Sequence, residues 1–155
     1  MTVDESHETG PATPNPVTGP ADIFETFAQI GYGPAHHDGA ELVVELPVAP
    51  HVVNTRGGIQ GGLLAAMVDI VAGQHAVEGR PAETGVVTSD MNIRFLRPIS
   101  EGAARARSRV LHSGRRSVIV QVNIFGTRPE KLAVTATVDF AILTGPNGGR
   151  PGRTG

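Results

Sequence analysis

The chain has 155 residues, neither cysteine nor tryptophan, and 13 basic against 15 acidic side chains, a formal net charge of −2. Such a length suits one domain with a real core, and the missing thiols exclude disulfides, thiolate zinc sites and a cysteine nucleophile. Balanced charge and only five Phe and one Tyr argue against a nucleic-acid partner.

The first twenty residues, "MTVDESHETGPATPNPVTGP", are polar and carry no apolar run, so neither a signal peptide nor a membrane anchor is expected there. Together with 144–155, "TGPNGGRPGRTG", they hold 13 of the 32 Gly and Pro residues, and both read as disordered tails around one domain at 21–143. The longest apolar stretch, 63–72, is interrupted by Asp69 and too short to span a bilayer. A soluble cytoplasmic protein without metal or redox cofactor is the expectation.

In "ADIFETFAQIG", Ile23, Phe24, Phe27 and Ile30 share one face of a short helix closed by Gly31. "ELVVELPV" (41–48) reads as a strand, and "GGLLAAMVDIVAGQHAV" (61–77) as the only long helix. Four alternating segments follow. Val87, Met91, Ile93 and Phe95 lie opposite Thr88, Asp90, Asn92 and Arg94 in the first, 84–96. Ala104, Ala106, Ser108 and Val110 lie opposite Arg105, Arg107 and Arg109 in the second, 102–112. Val118, Val120, Val122 and Ile124 share a face in 117–125; so do Leu132, Val134, Ala136, Val138, Phe140 and Ile142 in 131–143. A period of two marks antiparallel strands with one covered face, and the turns between them are rich in Gly, Pro and Ser. Strand, helix, then four strands is an α+β pattern, one long helix covering one face of a five-stranded sheet.

The chemistry concentrates in "NTRGGIQGGLLAAMVD" (54–69). Asp69 has Ala65, Ala66, Ala72 and Gly73 as helical neighbours, with none of the Lys, Glu or Gln that usually surround a solvent-facing carboxylate. Either it hydrogen-bonds at the rim of the helix, or it is a partly buried group kept for chemistry. Gly57, Gly58, Gly61 and Gly62 likewise have two readings. They make a tight turn where helix and sheet meet, or they expose amide N–H groups to a substrate carbonyl. "GGIQGGLL" lacks the Lys-Ser/Thr ending of a phosphate loop. Gly62 and Asp69 are seven residues apart, roughly 10 Å along the axis. One carbonyl cannot touch both within one helix, so a shared reacting atom requires two antiparallel helices from two subunits.

The spacing Asn54, Gln60, "GG", Asp69, followed by "TSDMNIRFLRP" (88–98), resembles the hotdog-fold acyl-CoA thioesterases, specifically the phenylacetic-acid-degradation type within the 4-hydroxybenzoyl-CoA thioesterase superfamily. The resemblance covers about 40–143 and implies a long central helix wrapped by a five- to six-stranded antiparallel sheet. It implies acyl-CoA hydrolysis with Asp69 as general base or nucleophile and the Gly61 amide, beside Gly62, polarising the thioester carbonyl. Asn54 would hold the carbonyl or the water, and Thr88 would orient the water. Homodimers joined edge to edge, pairing further into tetramers, are implied as well. One position departs from the family: its usual His is Gln60 here, an amide that donates and accepts hydrogen bonds but takes up no proton. That departure supports a non-catalytic acyl-CoA-binding alternative and weighs against a hotdog hydratase or dehydratase, which pairs a His with a carboxylate. His51 and His75 occupy no motif position and read as structural. The strand arginines are expected to pair with Glu41, Glu45 or Asp139. In the loop "GRR" (114–116), Arg115 and Arg116 are the family-like candidates for the phosphates of coenzyme A.

Overall fold

The computed structural model describes residues 23–144, so the two expected tails lie outside the described residues apart from Thr144. In chain order the elements are α1 (Ile23–Ile30), β1 (His36–Asp38), β2 (Glu41–Pro47), α2 (Gly61–Val77), β3 (Gly85–Phe95), β4 (Ala103–Ser113), β5 (Ser117–Thr127) and β6 (Glu130–Leu143). All six strands form one antiparallel sheet in the order β1-β2-β4-β5-β6-β3. The extra strand relative to the five read from the periodicity is β1, "HHD", a fully exposed edge that carries no apolar alternation.

α2 lies on one face of this sheet because it is apolar on almost every side. Leu64, Met67, Val68, Val71, Ala72, His75 and Ala76 are buried, against Leu42, Val44 and Leu46 of β2, Ala104 and Ala106 of β4, the Val118–Ile124 row of β5 and Val134, Val138 and Phe140 of β6. His75 enters this core by sharing a 2.8 Å hydrogen bond between its Nδ1 and Ser108 Oγ, while the Ser108 hydroxyl also reaches Leu42 O at 3.3 Å. The outer sheet face carries the arginines as expected: Arg105 Nε donates to Glu45 (2.6 Å), and Arg107 bridges Asp38 and Glu41 (2.9 Å each). Asp139 pairs with none of them among the described residues; its carbonyl accepts from Ser89 Oγ instead.

Three β-bulges interrupt the ladders, at Ser89, Leu111 and Ala133, and the first and last move side chains off the faces their alternation suggested. Between Thr88 and Asp90 the pairing with β6 skips Ser89, so Thr88 lies opposite Phe140 and Met91 opposite Val138, both on the helix side. Strict alternation had grouped Val87 with Met91, Ile93 and Phe95; the extra residue sends Val87 to the outer face and Thr88 inward. The skip at Ala133 turns Leu132 outward beside Phe125. Nor is β3 covered as its pattern suggested. It is an edge strand, and Val87, Met91, Phe95 and the following Leu96 are 46, 38, 54 and 50 % exposed.

α1 ends at Gly31 (φ 120°), whose N–H returns to Phe27 O and Ala28 O. Phe27 and Ile30 pack against the core, whereas Ile23 and Phe24 of the same expected face stay about half exposed. Next comes Tyr32, 6 % exposed and set edge-on to Phe27, whose hydroxyl donates to Leu63 O at 2.6 Å and pins the start of α2. Burial pushes its phenol up to about 12. Because the ionised form is disfavoured in the fold, this stability is complete below pH 10 and lost as pH rises from 10 through 12; a shift of that size corresponds to about 2–3 kcal/mol. Tyr32 is the single tyrosine, so near-ultraviolet absorbance reports it alone and should show it titrating well above the free phenol. In Tyr32→Phe, denaturant melts should show a loss of about 1 kcal/mol at neutral pH and a shallower decline between pH 10 and 12.

Candidate active site

The segment between β2 and α2 contains a small hydrogen-bonded turn. Asn54 N–H donates to Gly58 O (2.8 Å), Gly57 N–H to Asn54 O (2.9 Å), and Asn54 Oδ1 accepts from Arg56 N–H (2.9 Å). Gln60 N–H donates to Val52 O, and Ile59 N–H to Ile99 O, which ties the turn to the chain after β3. Asn54 therefore builds the turn with its backbone and Oδ1, and its Nδ2 has no partner among the described residues.

The four glycines divide into two pairs. Gly57 has φ +83°, a backbone that L side chains rarely adopt, and a Cβ on Gly58 would meet Pro98 Cβ at 3.2 Å. Those two are explained by the turn. A Cβ on Gly61 would touch only the Phe95 ring at an ordinary 3.6 Å, and one on Gly62 would meet nothing within 4 Å. Neither has a positive φ, so neither is required by the fold.

The helix start is also open electrically. Gln60 O accepts from Leu63 N–H (2.9 Å) and Leu64 N–H (3.2 Å), and the Gln60 side chain makes no cap. This leaves the N–H groups of Gly61 and Gly62 without an acceptor among the described residues, at the positive end of a 17-residue helix. Gln60 itself is exposed.

Asp69 lies on the flank of α2 that faces β3. Thr88 Oγ1 donates to its Oδ1 at 2.7 Å, a contact that exists because the Ser89 bulge turned Thr88 inward. Of the residues singled out in the sequence, the structure thus assembles Asp69 with Thr88, and separately Asn54, Gln60, Gly61 and Gly62. Gly61 and Asp69 are eight residues apart, roughly 12 Å along the axis. Arg115 and Arg116 are in a third place, the β4–β5 turn beside Arg80, which bonds Ser113 and Gly114 at the other end of α2.

His51 and His75 have structural partners, Ile30 O at 2.7 Å and Ser108. Sequence reading missed an apolar cavity of about 230 Å³ between α1 and α2, lined by Phe24, Phe27, Tyr32, Val44, Ile70 and Gln74. Gln74 Oε1 is buried there without a hydrogen bond among the described residues. Nothing in the local sequence signals it, because α1 and α2 meet only in the fold. Residues 69 and 74 point roughly 140° apart on the helix, so this cavity is on the flank away from Asp69.

The family model described as the thioesterase superfamily matches residues 57–133, from the glycine turn into β6. A Saccharolobus solfataricus protein provisionally named an esterase is 29% identical over 101 residues, 65% of this chain and 71% of its own length. A solved thioesterase from Haemophilus influenzae has a TM-score of 0.72 at 19% identity, over 77% of this chain and 82% of that one. At that identity the likeness shows the fold alone, and the fold is the hotdog arrangement. A Bacillus halodurans protein whose crystal structure contains CoA has a TM-score of 0.62 at 27% identity, over 65% of this chain and 66% of that one.

The division of the glycines is testable on stability alone. Gly62→Ala should raise the unfolding free energy by up to about 1 kcal/mol, since it removes a flexible residue from the first helical turn into open space. Gly57→Ala should lower it by about 1–2 kcal/mol, because the left-handed backbone must be kept with a Cβ. Denaturant unfolding of both variants checks the pair; equal and opposite signs to these would place the fold's demand on Gly62.

Proposed function

We propose that this thioester hydrolase, which is similar to the thioesterase superfamily over residues 57–133, hydrolyses acyl-CoA esters in a homodimer with two composite sites. Each site takes Asp69 and Thr88 from one protomer and the turn Asn54–Gly62 from the other. The observation that carries this reading is the pair of unbonded amides on Gly61 and Gly62, left open where the fold requires neither glycine.

The chemistry follows from what each group has spare. Thr88 occupies Asp69 Oδ1, which leaves Oδ2 to take a proton from water or to attack the carbonyl carbon itself. In either case negative charge develops on the thioester oxygen. Two N–H groups at a helix start are suited to hold it, and one such donor is typically worth about 10²–10³ in rate. Gln60, exposed at the lip of the turn, and the free Nδ2 of Asn54 add donors toward that oxygen. Collapse of the tetrahedral species breaks the C–S bond, and the thiolate leaves and is protonated; where water attacked, the free acid results directly, and where Asp69 attacked, an acyl–Asp69 anhydride results that water then cleaves to the free acid and the regenerated carboxylate. A route through hydratase chemistry would need a His paired with a carboxylate at the turn, and Gln60 stands there.

Two features support the dimer. Within one chain the amides and the carboxylate are separated by roughly 12 Å along a rigid helix, too far to act on one carbonyl. The free edge of β3, eleven residues long, presents unpaired backbone groups beside the exposed Met91, Phe95 and Leu96, the kind of edge that a second copy covers by strand pairing.

Complementation tests the whole arrangement. Asp69→Asn keeps the shape of the side chain but removes its basicity, and hydrolysis of CoA esters should fall by at least about 10² with folding retained. Gly62→Val fills the open approach above the amides and should be similarly inactive. Mixed after unfolding and refolding together, the two variants should recover about one quarter of wild-type activity, since half the dimers are mixed and each mixed dimer has one intact site. No recovery, or a monomer by sedimentation at micromolar concentration, would overturn the composite site. Wild-type rates in Asp69→Asn would remove Asp69 from the mechanism.

A further inference from the structure

α1 does not close onto α2 along its whole length. Phe27 and Ile30 pack against the core, but none of its eight residues is fully buried. An apolar cavity of about 230 Å³ separates the two helices, between Phe24, Phe27, Tyr32, Val44, Ile70 and Gln74. We propose that this cavity is a ligand site of its own, separate from the composite site. Its ligand is a small neutral molecule with an apolar body and one hydroxyl or N–H donor, of the size of an alkylphenol.

Gln74 distinguishes the cavity from a packing defect. Leu63, Ile70 and Gln74 follow one another at seven and four residues, so they share one flank of α2, and the first two are partly buried members of the core. A Leu or Met at position 74 would continue that flank and fill space. Instead an amide stands there with its Oε1 buried and without a hydrogen bond among the described residues, a costly state for an acceptor. The nearby phenol does not relieve it, because the Tyr32 hydroxyl donates to Leu63 O. Gln74 lines the cavity and its terminal torsion is soft, so a donor held there can reach Oε1.

The lining also sets charge and size. No charged side chain is among the residues that line the cavity, so a carboxylate or an ammonium would lose its water without gaining a counter-charge. The free acid and the CoA of the proposed reaction are both anions and are excluded on that ground. An apolar cavity of about 150 Å³ holds a benzene ring, and the additional volume fits about two or three further heavy atoms at ~30 Å³ per water-sized group. Pockets for larger ligands start at about 300 Å³. Phe24, Ala28, Pro34 and Ala35 on the lining are exposed, which gives the cavity an opening to solvent.

The cavity is distinct from the groups assigned to hydrolysis. None of Asn54, Gln60, Gly61, Gly62, Asp69 and Thr88 lines it. Along α2, Gln74 is roughly 20 Å from Gly61 and points roughly 140° away from Asp69. Tyr32 is the one link, since it borders the cavity and pins the start of α2.

Calorimetry on the full-length protein with para-ethylphenol, ethylbenzene and the para-ethylbenzoate anion tests each feature. The phenol should bind with a Kd on the order of 10⁻⁴ M, ethylbenzene about tenfold more weakly for want of the donor, and the anion not at all. Gln74→Leu should bring phenol and hydrocarbon to equal affinity and raise the melting temperature of the unliganded protein by a few degrees. Ala28→Leu, at an exposed helix position, narrows the cavity; it should weaken both ligands about tenfold and leave hydrolysis unchanged. Saturating CoA should leave phenol binding as it was. The proposal is overturned if the phenol shows no saturable binding at millimolar concentration, or if its advantage over ethylbenzene persists in Gln74→Leu. Undiminished binding in Ala28→Leu overturns it as well, and so does displacement by CoA, which would join the cavity to the composite site. If Gln74→Leu does not fold, the wild-type preference and the Ala28→Leu loss decide. No binding measurement here needs turnover, so the acyl-CoA reading stands or falls separately.

Discussion

The burial of α2 against the sheet is the constraint on which the rest depends. Seven of its seventeen residues are buried, spread over about half of its circumference, so it can neither slide nor rotate without exposing core. A helix held in this way acts as a ruler. At 1.5 Å per residue it fixes the distance between its open amides and its one carboxylate, and side-chain motion cannot close a gap of that size. The rigidity that keeps Asp69 aligned with Thr88 also denies Asp69 the amides of its own helix. The composite site proposed above would reconcile a well-packed helix with chemistry needing both groups, and the uncovered β3 edge would admit a second copy.

Local irregularity matters as much as the regular frame. Thr88 reaches Asp69 only because Ser89 is extruded from the β3–β6 ladder. In a continuous strand with the register of its C-terminal half, Thr88 would face outward with Asn92 and Arg94, and the Asp69 carboxylate would lose its single hydrogen-bond donor among the described residues. Bulges are common beside functional sites for this reason: one extra residue re-aims a side chain without disturbing the pairing on either side.

The element boundaries were legible where hydrophobic period and burial agree. α2 occupies the same 61–77 that its apolar run and glycine start suggested, and β4 and β5 keep their alternation almost throughout. Legibility failed where an element carries no apolar signal, as in β1, or where one residue breaks the period, as at Ser89 and Ala133. Exposure on β3 was illegible for another reason: Met91 and Phe95 alternate like core residues, and a sequence does not say whether the cover is the same chain or another copy. Of the site, Asp69 stood out by its small neighbours alone. Thr88 came only from family resemblance, since its own alternation pointed the wrong way. The glycines were equivocal as a group and became informative only when φ and Cβ clearance separated Gly57 and Gly58 from Gly61 and Gly62.

Gln60 makes sense in this light as a residue that does not cap. Helix starts favour Ser, Thr, Asp or Asn, whose side chains accept from the second or third amide and stabilise the helix by about 1 kcal/mol. Any of these at position 60 could place an oxygen on the Gly62 amide, the second of the helix and one of the two that the proposed oxyanion needs. Gln is one methylene longer than Asn, makes no cap here, and is exposed. Combined with glycine rather than alanine at both 61 and 62, it forgoes local helix stability at three successive positions. The pinning of Leu63 O by Tyr32 and the burial of Leu64 and Met67 immediately downstream hold the helix start in place without help from a cap. Stability is thus supplied from outside the first turn, which leaves that turn free to present bare N–H groups.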